Sequence, residues 1–175
     1  FNLLMTDPSL KNNKVIIFSE FLTTARYLQL NLKRRGVLGL DVVDSMDNRD
    51  RDEVVKQFSP YYNYSSSTEI EDKGKKESRI LIATDVLAEG LNLQDCTYLI
   101  NYDIHWNPVR LMQRIGRVDR RLNPDIEKQI LSEHPKMKKI RGKIQYWNFL
   151  PPIELNEILS LYSRVTNKTL IISKV

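Results

Sequence analysis

Residues 79–93 read RILIATDVLAEGLNL, a short apolar run followed by a Thr-Asp pair and a turn that contains glycine. Four similar apolar runs occur elsewhere in the chain, at residues 15–19, 40–45, 97–101 and 144–149. Continuous apolar strands that alternate with helical patterns are typical of a parallel sheet covered on both faces. The sequence therefore predicts an α/β fold in which helices flank a mostly parallel central sheet.

Two helical patterns follow the first two strands. Residues 21–35 carry apolar side chains at three- and four-residue steps, and Gly36 stands where a helix C-terminus favours positive φ. This helix would connect the first strand to the second. Another helix is predicted over about residues 49–58, with Asp47 or Asn48 as its N-cap.

A third helix opens at Asn107 and Pro108, a favoured N-cap followed by the residue type favoured at the first helical position, and runs to about Arg117. On a helical wheel, one side is apolar: Leu111, Ile115 and Val118, with Met112 at its edge. The other side is polar and basic: Arg110, Gln113, Arg114, Arg117 and Arg121, with Arg120 on its flank. Guanidinium groups gathered this way repel one another, which predicts an anionic partner such as phosphate. The simpler alternative is a solvated basic helix.

The positive charge of the chain is local. The formal net charge is +5 (27 minus 22), but residues 107–143 hold eleven Lys or Arg and four Asp or Glu, a local net charge of +7. A basic surface of this kind predicts a polyanionic partner such as nucleic acid, although a solvated helix face would look the same.

Cysteine and histidine usage excludes several site classes. Cys96 is the single cysteine, so an intramolecular disulfide is impossible, and it is interpreted as a small core residue. His105 and His134 have no partners at metal-ligand spacing, so no metal site is predicted on this chain. His105 and Trp106 are expected to serve packing and turn geometry. No apolar run approaches the roughly 20 residues that a bilayer span needs, so no membrane partner is expected.

The string QRIGRVDR, residues 113–120, resembles motif VI of superfamily 2 helicases, with QxxGRxxR in register. Residues 83–93 are similar to motif V, and residues 15–21 (VIIFSEF) resemble motif IV. Arg51 and Phe58 match the Arg and Phe of the helix that lies between these motifs in the family. The resemblance implies a three-layer RecA-like lobe, the second of two that form such a motor.

The resemblance also implies roles for individual residues. It makes Arg117 and Arg120 the catalytic arginine fingers that reach the γ-phosphate of ATP. It places four residues at the nucleotide: Gln113, Gly116, Glu89 and Asn92, the last beside the ribose or beside motif VI. It places four at a nucleic-acid backbone: Ser19, Glu20, Thr84 and Gly90. Three alternatives remain: Glu20 as a favourable helix N-terminal acid, Thr84 and Asp85 as caps of a short helix, and Gly90 as an ordinary turn.

Two positions bear on the subclass. Glu89 stands where many RNA helicases of this superfamily have arginine, and Gln113 stands where they have histidine, so a DEAD-box RNA helicase is disfavoured. Residues 106–120 (WNPVRLMQRIGRVDR) are closer to Swi/Snf-type bacterial DNA-dependent ATPases. This similarity implies DNA as the partner, a cytoplasmic, nucleoid-associated location, and an isolated domain that is monomeric.

The chain lacks the other half of an ATP site. No GxxxxGK[ST] phosphate loop and no apolar strand ending in Asp-Glu occurs in the sequence. ATP and Mg²⁺ are therefore expected to be bound mainly by a first lobe on another segment, and the isolated chain is predicted to be inactive. The alternative is a non-catalytic nucleic-acid-binding or protein-docking module with a helicase-like fold.

The domain organisation follows from these assignments. The chain begins at Phe1 without an initiator Met and is interpreted as a fragment of a longer protein. Residues 1–13 would link to the preceding lobe, 14–150 would form the RecA-like domain, and 151–175 would form a helical extension. Residues 59–78, rich in Tyr, Ser and charge without periodicity, are expected to be a flexible, poorly ordered insertion.

Overall fold

The computed structural model describes residues 1–43, 50–86, 88–105 and 107–149. Within these residues lie five strands: β1 (Val15–Ser19), β2 (Leu40–Val42), β3 (Ile80–Thr84), β4 (Tyr98–Asn101) and β5 (Gln145–Asn148). They form one sheet in the order β2-β3-β1-β4-β5, and every neighbouring pair is parallel. The five apolar runs thus form strands, and the predicted α/β class is confirmed.

In the same described ranges, seven α-helices connect and flank the strands: α1 (Asn2–Thr6), α2 (Pro8–Lys11), α3 (Leu22–Arg34), α4 (Arg51–Phe58), α5 (Ser67–Asp72), α6 (Pro108–Val118) and α7 (Pro124–Glu133). Two 3-10 turns, Tyr61–Asn63 and Pro135–Lys139, precede α5 and follow α7. None of the helices in the described ranges is long and apolar enough to cross a bilayer. The predicted extension over residues 151–175 lies outside the described residues.

The helix ends confirm two predictions and correct one. Gly36 has a φ of +81°, so the chain leaves α3 in the left-handed conformation that glycine favours. Asn107 caps α6, because its side chain accepts a hydrogen bond from the Val109 amide at 3.0 Å. The N-cap of α4 is Asp50, whose carboxylate accepts from the Asp52 amide. The prediction of Asp47 or Asn48 was wrong because the helix begins about two residues later than the pattern suggested.

Alternate residues of the strands enter two cores, one on each face of the sheet. Ile16 and Phe18 of β1 join a cluster with Val54 and Phe58 of α4 and with Val118 of α6. The alternating residues of β1 face the other way and join a cluster with apolar side chains of α1, α2 and α3: Leu4, Leu10, Ala25 and Leu32. All five residues of β1 are buried, as expected for a central parallel strand. The sheet is therefore covered on both faces, and α3 and α6 lie on opposite sides of it.

The segment over residues 59–78 differs from the expectation of an irregular insertion. It contains a 3-10 turn and α5, and it buries Tyr61 and Tyr62 against Ile130 of α7. The tyrosine hydroxyls donate hydrogen bonds to glutamates of α7, Tyr61 to Glu133 and Tyr62 to Glu127, each at 2.8 Å. Burial of two aromatic rings offsets the entropy of ordering the segment.

Residues 1–13, expected to be a linker, also belong to the packed fold. α1 and α2 place Leu4 and Leu10 in the core that α3 covers. The connection of this segment to a preceding lobe stays a prediction, as do the other proposed domain boundaries.

Candidate functional site

Three neighbouring strands end at the same edge of the sheet and bring predicted site residues together. Ser19, the last residue of β1, is in register with Thr84, the last residue of β3. On the other side of β1, Phe18 is in register with Asn101 at the end of β4. Ligands of open α/β sheets bind outside the carboxyl ends of the strands, so a ligand site is expected at this edge.

Arg114 of α6 is buried at this edge, with only 1% of its surface exposed. Its Nε and Nη2 donate to the two carboxylate oxygens of Asp85 at 2.7 Å each. Its Nη1 donates to the Asp103 carbonyl at 2.7 Å and to Asn101 Oδ1 at 3.3 Å, and its guanidinium lies over the Phe18 ring. The prediction that Arg114 belongs to the solvent-facing basic side of α6 was therefore wrong. A helical wheel cannot show acids supplied by distant strands.

Asp103 extends this network to the end of β1. Its carboxylate accepts from the Ser19 hydroxyl at 2.6 Å and from the Glu20 amide at 3.1 Å. Ser19 is completely buried, so its hydroxyl faces Asp103 in this conformation. Glu20 is exposed, with its carboxylate 3.8 Å from His105 Nε2. The first turn of α3 contains no acid, so the alternative that Glu20 is a helix N-terminal acid was wrong.

A cleft of about 250 Å³ opens between the turn after β3 and the outer side of α6. The predicted residues Glu89, Gln113 and Arg117 line it together with Arg110. Across the part of the chain that the structure describes, the Arg117 side chain makes no hydrogen bond or ion pair. Its guanidinium is therefore uncommitted, in contrast to that of Arg114 one helical turn earlier.

Arg120 lies beyond the end of α6 and contacts motif V. Its Nη1 donates to Asn92 Oδ1 at 3.1 Å. Of the two neighbours predicted for Asn92, the ribose and motif VI, the contact with motif VI is therefore observed. Because the amide is neutral, the positive charge of Arg120 is not compensated by this contact, and an anion would compete well for it.

Gly116 occupies the middle of α6, where glycine weakens a helix by about 1 kcal/mol relative to alanine. A Cβ built at this position would meet no atom within 4 Å, so packing within the described chain does not require glycine. A group from outside this chain could approach the α6 backbone closely here.

The turn after β3 holds Thr84 and Gly90. The Thr84 carbonyl accepts from the Ala88 amide at 2.9 Å, and Gly90 is exposed with a φ of +80°. Arg51 of α4 donates to the Glu89 carbonyl at 2.5 Å and so fixes the turn from the side. The positive φ accounts for glycine at position 90, so the ordinary-turn alternative stays open. Asp85 uses its carboxylate for Arg114 rather than as a helix cap.

The remaining sequence assignments concern packing. Cys96 is completely buried and donates to the carbonyls of Lys14 and Tyr98, and burial raises the pKa of its thiol to about 12. His105 accepts from the Asn107 amide through Nδ1 at 2.9 Å, which confirms its role in turn geometry. Trp106 lies outside the described residues. Those residues contain no group of three or more His, Cys, Asp or Glu arranged to hold a metal ion.

Sequence reasoning did not single out Asn101 and Asp103 as parts of the site. The sequence did contain a pattern that could have indicated Asp103. It follows β4 as Asp85 follows β3, and both strands were predicted. Acids placed just after strands of one parallel sheet meet at the same edge. A buried arginine partner for such a pair could have been expected from that.

The chain belongs to the helicase conserved C-terminal domain family, whose pattern matches residues 2–121. A similar protein is the uncharacterized ATP-dependent helicase YqhH of Bacillus subtilis (strain 168), 38% identical over 109 residues, which are 62% of this chain and 17% of that protein. The ATP-dependent RNA helicase DBP2 of Candida albicans (strain SC5314 / ATCC MYA-2876) is 30% identical over 110 residues, 63% of this chain and 17% of that protein. The chain thus spans 17% of the length of these curated relatives.

Among solved structures, the C-terminal part of the Fun30 ATPase domain has a similar fold. The TM-score is 0.62 at 20% sequence identity, over 94% of this chain and 42% of that one. At this identity the similarity concerns the fold alone, and it confirms the predicted RecA-like architecture.

Proposed function

We propose that this chain is the second motor lobe of an ATP-dependent helicase or translocase and supplies Arg117 and Arg120 to ATP bound by a first lobe. The observation that supports this proposal most directly is that the three arginines of motif VI lie in different environments. Arg114 is buried in an ion pair, whereas Arg117 lines an open cleft. Among the described residues, Arg117 has no hydrogen-bonding partner, and Arg120 contacts only a neutral amide.

The size of the cleft supports a site shared between two lobes. Complete small-molecule pockets usually measure roughly 300–1,000 Å³, and about 250 Å³ is below that range. Arg110 and Arg117 give the cleft positive charge, and Gln113 can donate and accept hydrogen bonds. Such a half-site suits the terminal phosphates of a nucleotide whose remainder is held elsewhere. Mg²⁺, when bound by the first lobe, would supply positive charge that offsets the negative charge of those phosphates.

The role proposed for the two guanidinium groups follows from the chemistry of phosphoryl transfer. Negative charge spreads over the equatorial oxygens of the transferred phosphoryl group, and an arginine that meets this charge lowers the barrier. Arg117 and Arg120 gain such contacts only when the two lobes close on ATP. Hydrolysis and release of phosphate remove them, so the lobe alternates between closed and open positions.

The proposal also includes the nucleic acid on which the motor acts. Gly90 is exposed in the turn after β3, so its backbone can contact a nucleic-acid phosphate, and Thr84, buried at the end of β3, is proposed as the second residue of this contact. The acidic Glu89 and the amide of Gln113 support a Swi/Snf-type, DNA-dependent ATPase. We further propose that the parent protein acts on DNA in the cytoplasm at the nucleoid, and that the isolated lobe is monomeric.

The test uses the parent protein with its first lobe present. Arg117→Ala and Arg120→Ala should each lower DNA-stimulated ATP turnover by roughly 10³-fold or more, because each removes a charge that meets the transition state. Arg121→Ala is the matched control, since it removes an exposed arginine of the same basic stretch outside the finger register. Its turnover should remain near that of the wild type.

Two outcomes would contradict the proposal. Wild-type turnover in both finger variants would remove the role of Arg117 and Arg120. Salt-sensitive DNA binding without any ATPase activity in the parent protein would instead indicate a non-catalytic binding module.

A further inference from the structure

The 3-10 turn Tyr61–Asn63 contacts both of the segments that carry the hydrogen bond from Arg120 to Asn92. Asn92 belongs to the segment between β3 and β4, and Arg120 belongs to the connection from α6 to α7. The two residues are 28 positions apart in the chain. Because the turn is bonded to both segments, it can fix the placement of one relative to the other.

The Asn63 side chain binds the segment that holds Asn92. Its Nδ2 donates to the Asn92 carbonyl at 2.8 Å. In the same segment, the carboxylate of Asp95, which is 3% exposed, accepts from the amides of Tyr61 at 3.0 Å and Tyr62 at 3.2 Å. The turn is thus bonded to this segment at two positions, once through a side chain of the turn and once through its backbone.

The Tyr62 hydroxyl binds the segment that holds Arg120. It accepts from the Asn123 amide at 3.0 Å, three residues after Arg120, and it donates to Glu127 of α7 at 2.8 Å. Arg141 donates to the other carboxylate oxygen of Glu127 at 2.8 Å and holds this acid in place. The start of α7 is therefore fixed on the turn, close in sequence to Arg120.

The two tyrosines of the turn differ in what their hydroxyls contact. Among the described residues, the partners of the Tyr61 hydroxyl belong to α5 and to the C-terminal end of α7: Ser67, Glu133 and His134. Those bonds anchor residues 59–78 to α7. The segment is thus anchored without the bonds of Tyr62 and Asn63, which connect to the surroundings of Arg120 instead.

We propose that Tyr62 and Asn63 are positioning residues that hold Arg120 where it can meet ATP bound by the first lobe. Asn63 fixes the backbone of Asn92, whose side chain accepts from Arg120. Tyr62 fixes the chain three residues after Arg120. An exposed arginine has many rotamers, and holding it near the reactive geometry before ATP binds removes part of that entropic cost from the chemical step. This inference rests on the proposed function of Arg120.

The test measures ATP turnover in the parent protein with its first lobe present. Asn63→Ala and Tyr62→Phe should each lower kcat by about tenfold and change KM for ATP by less than about twofold, because Arg120 meets charge that develops in the transition state. Tyr62→Phe keeps the buried ring and removes only the hydroxyl.

Each variant has a matched control. Tyr61→Phe removes a hydroxyl of the same turn that also donates to a glutamate of α7 at 2.8 Å, but its partners lie away from Arg120. Asn13→Ala removes an amide that donates to the carbonyl four residues earlier, as Asn63 does to Ser59. Both controls should keep the wild-type kcat. Urea denaturation of the 175-residue chain verifies that all four variants are folded.

A double-mutant cycle separates positioning from a general loss of structure. In the Arg120→Ala background, Asn63→Ala and Tyr62→Phe should lower kcat no further, because they act through a group that is already absent. A purely structural role would lower kcat by the same factor with or without Arg120.

The outcomes distinguish this inference from the proposed function. Wild-type kcat in Asn63→Ala and Tyr62→Phe, with low turnover in Arg120→Ala, would overturn the inference and leave the proposed function intact. A loss of kcat that persists in the Arg120→Ala background would also overturn it, since Tyr62 and Asn63 would then act elsewhere. Wild-type turnover in Arg120→Ala would refute the proposed function of Arg120 and the inference with it.

Discussion

Arg114 donates to both carboxylate oxygens of Asp85, and the two residues, 29 positions apart in the chain, connect α6 to the end of β3. The arginine side chain is buried, with 1% exposed, and the aspartate side chain is mostly buried, with 16% exposed. Asn101 and the Asp103 carbonyl satisfy the remaining guanidinium nitrogen. The ion pair thus fixes α6 against the sheet edge.

Arg114→Ala should destabilise the chain by about 3–5 kcal/mol, because it leaves the partly buried carboxylate of Asp85 without a partner. Arg110→Ala on the exposed side of the same helix is the control and should change stability by less than about 0.5 kcal/mol. Chemical denaturation measures both. Equal stabilities of the two variants would show that the ion pair does not anchor α6.

Gly116→Ala should stabilise the isolated chain by up to about 1 kcal/mol, because alanine favours the helix and the added methyl group meets nothing within 4 Å. In the parent protein the same substitution should lower ATP turnover if another lobe approaches the α6 backbone there. Denaturation and a steady-state ATPase assay give the two values. A stabilised parent with unchanged turnover would exclude a close approach at Gly116.

Asn92→Asp should slow ATP turnover in the parent protein more than Asn92→Ala does. The aspartate would convert the hydrogen bond to Arg120 into an ion pair, and this competes with phosphate for the guanidinium. The alanine variant only releases Arg120. Turnover at saturating ATP distinguishes the two variants, and a faster Asn92→Asp enzyme would contradict this role of the contact.

Glu127 of α7 should make stability depend on pH. Burial alone would raise its pKa, but hydrogen bonds from Arg141 and Tyr62 outweigh burial and lower the pKa below its usual value. Its contribution to the free energy of unfolding is therefore present above the unfolded pKa of about 4.3 and is lost as the pH falls through the folded pKa. Between pH 6 and 3, the free energy of unfolding should fall less steeply in Glu127→Gln than in the wild type. Identical slopes would contradict the assignment.

Cys96 should not react with a thiol reagent at pH 8 while the chain is folded, because burial raises its pKa to about 12 and keeps it protonated. Unfolding exposes a thiol of pKa about 8.5, so denaturant should permit stoichiometric labelling. At a pH between about 8.5 and about 12, the Cys96 thiol is deprotonated in the unfolded state but still protonated in the folded state. The contribution of Cys96 to the free energy of unfolding therefore falls as the pH rises through this range. Rapid labelling of the folded chain would contradict the burial of Cys96.

Sequence patterns predicted the parts of this fold that depend on local order. Apolar runs located the five strands, and the Asn107-Pro108 pair located the start of α6. The sequence did not predict that residues 59–78 are ordered, because Tyr61 and Tyr62 are held by glutamates more than 60 positions away. The burial of Arg114 was not predicted for the same reason, since its partner Asp85 follows a distant strand, β3.

The network around Arg114 bears on how the lobe can move. Arg114 connects to the ends of β3 and β4 through Asp85 and Asp103, and Asp103 connects to β1 through Ser19. Because α6 carries Arg117 one turn later, a movement of this helix would break the bonds of Arg114 to residues at the ends of two strands, β3 and β4. Arg117 is thus connected, through Arg114 and Asp85, to the strand end that holds Thr84.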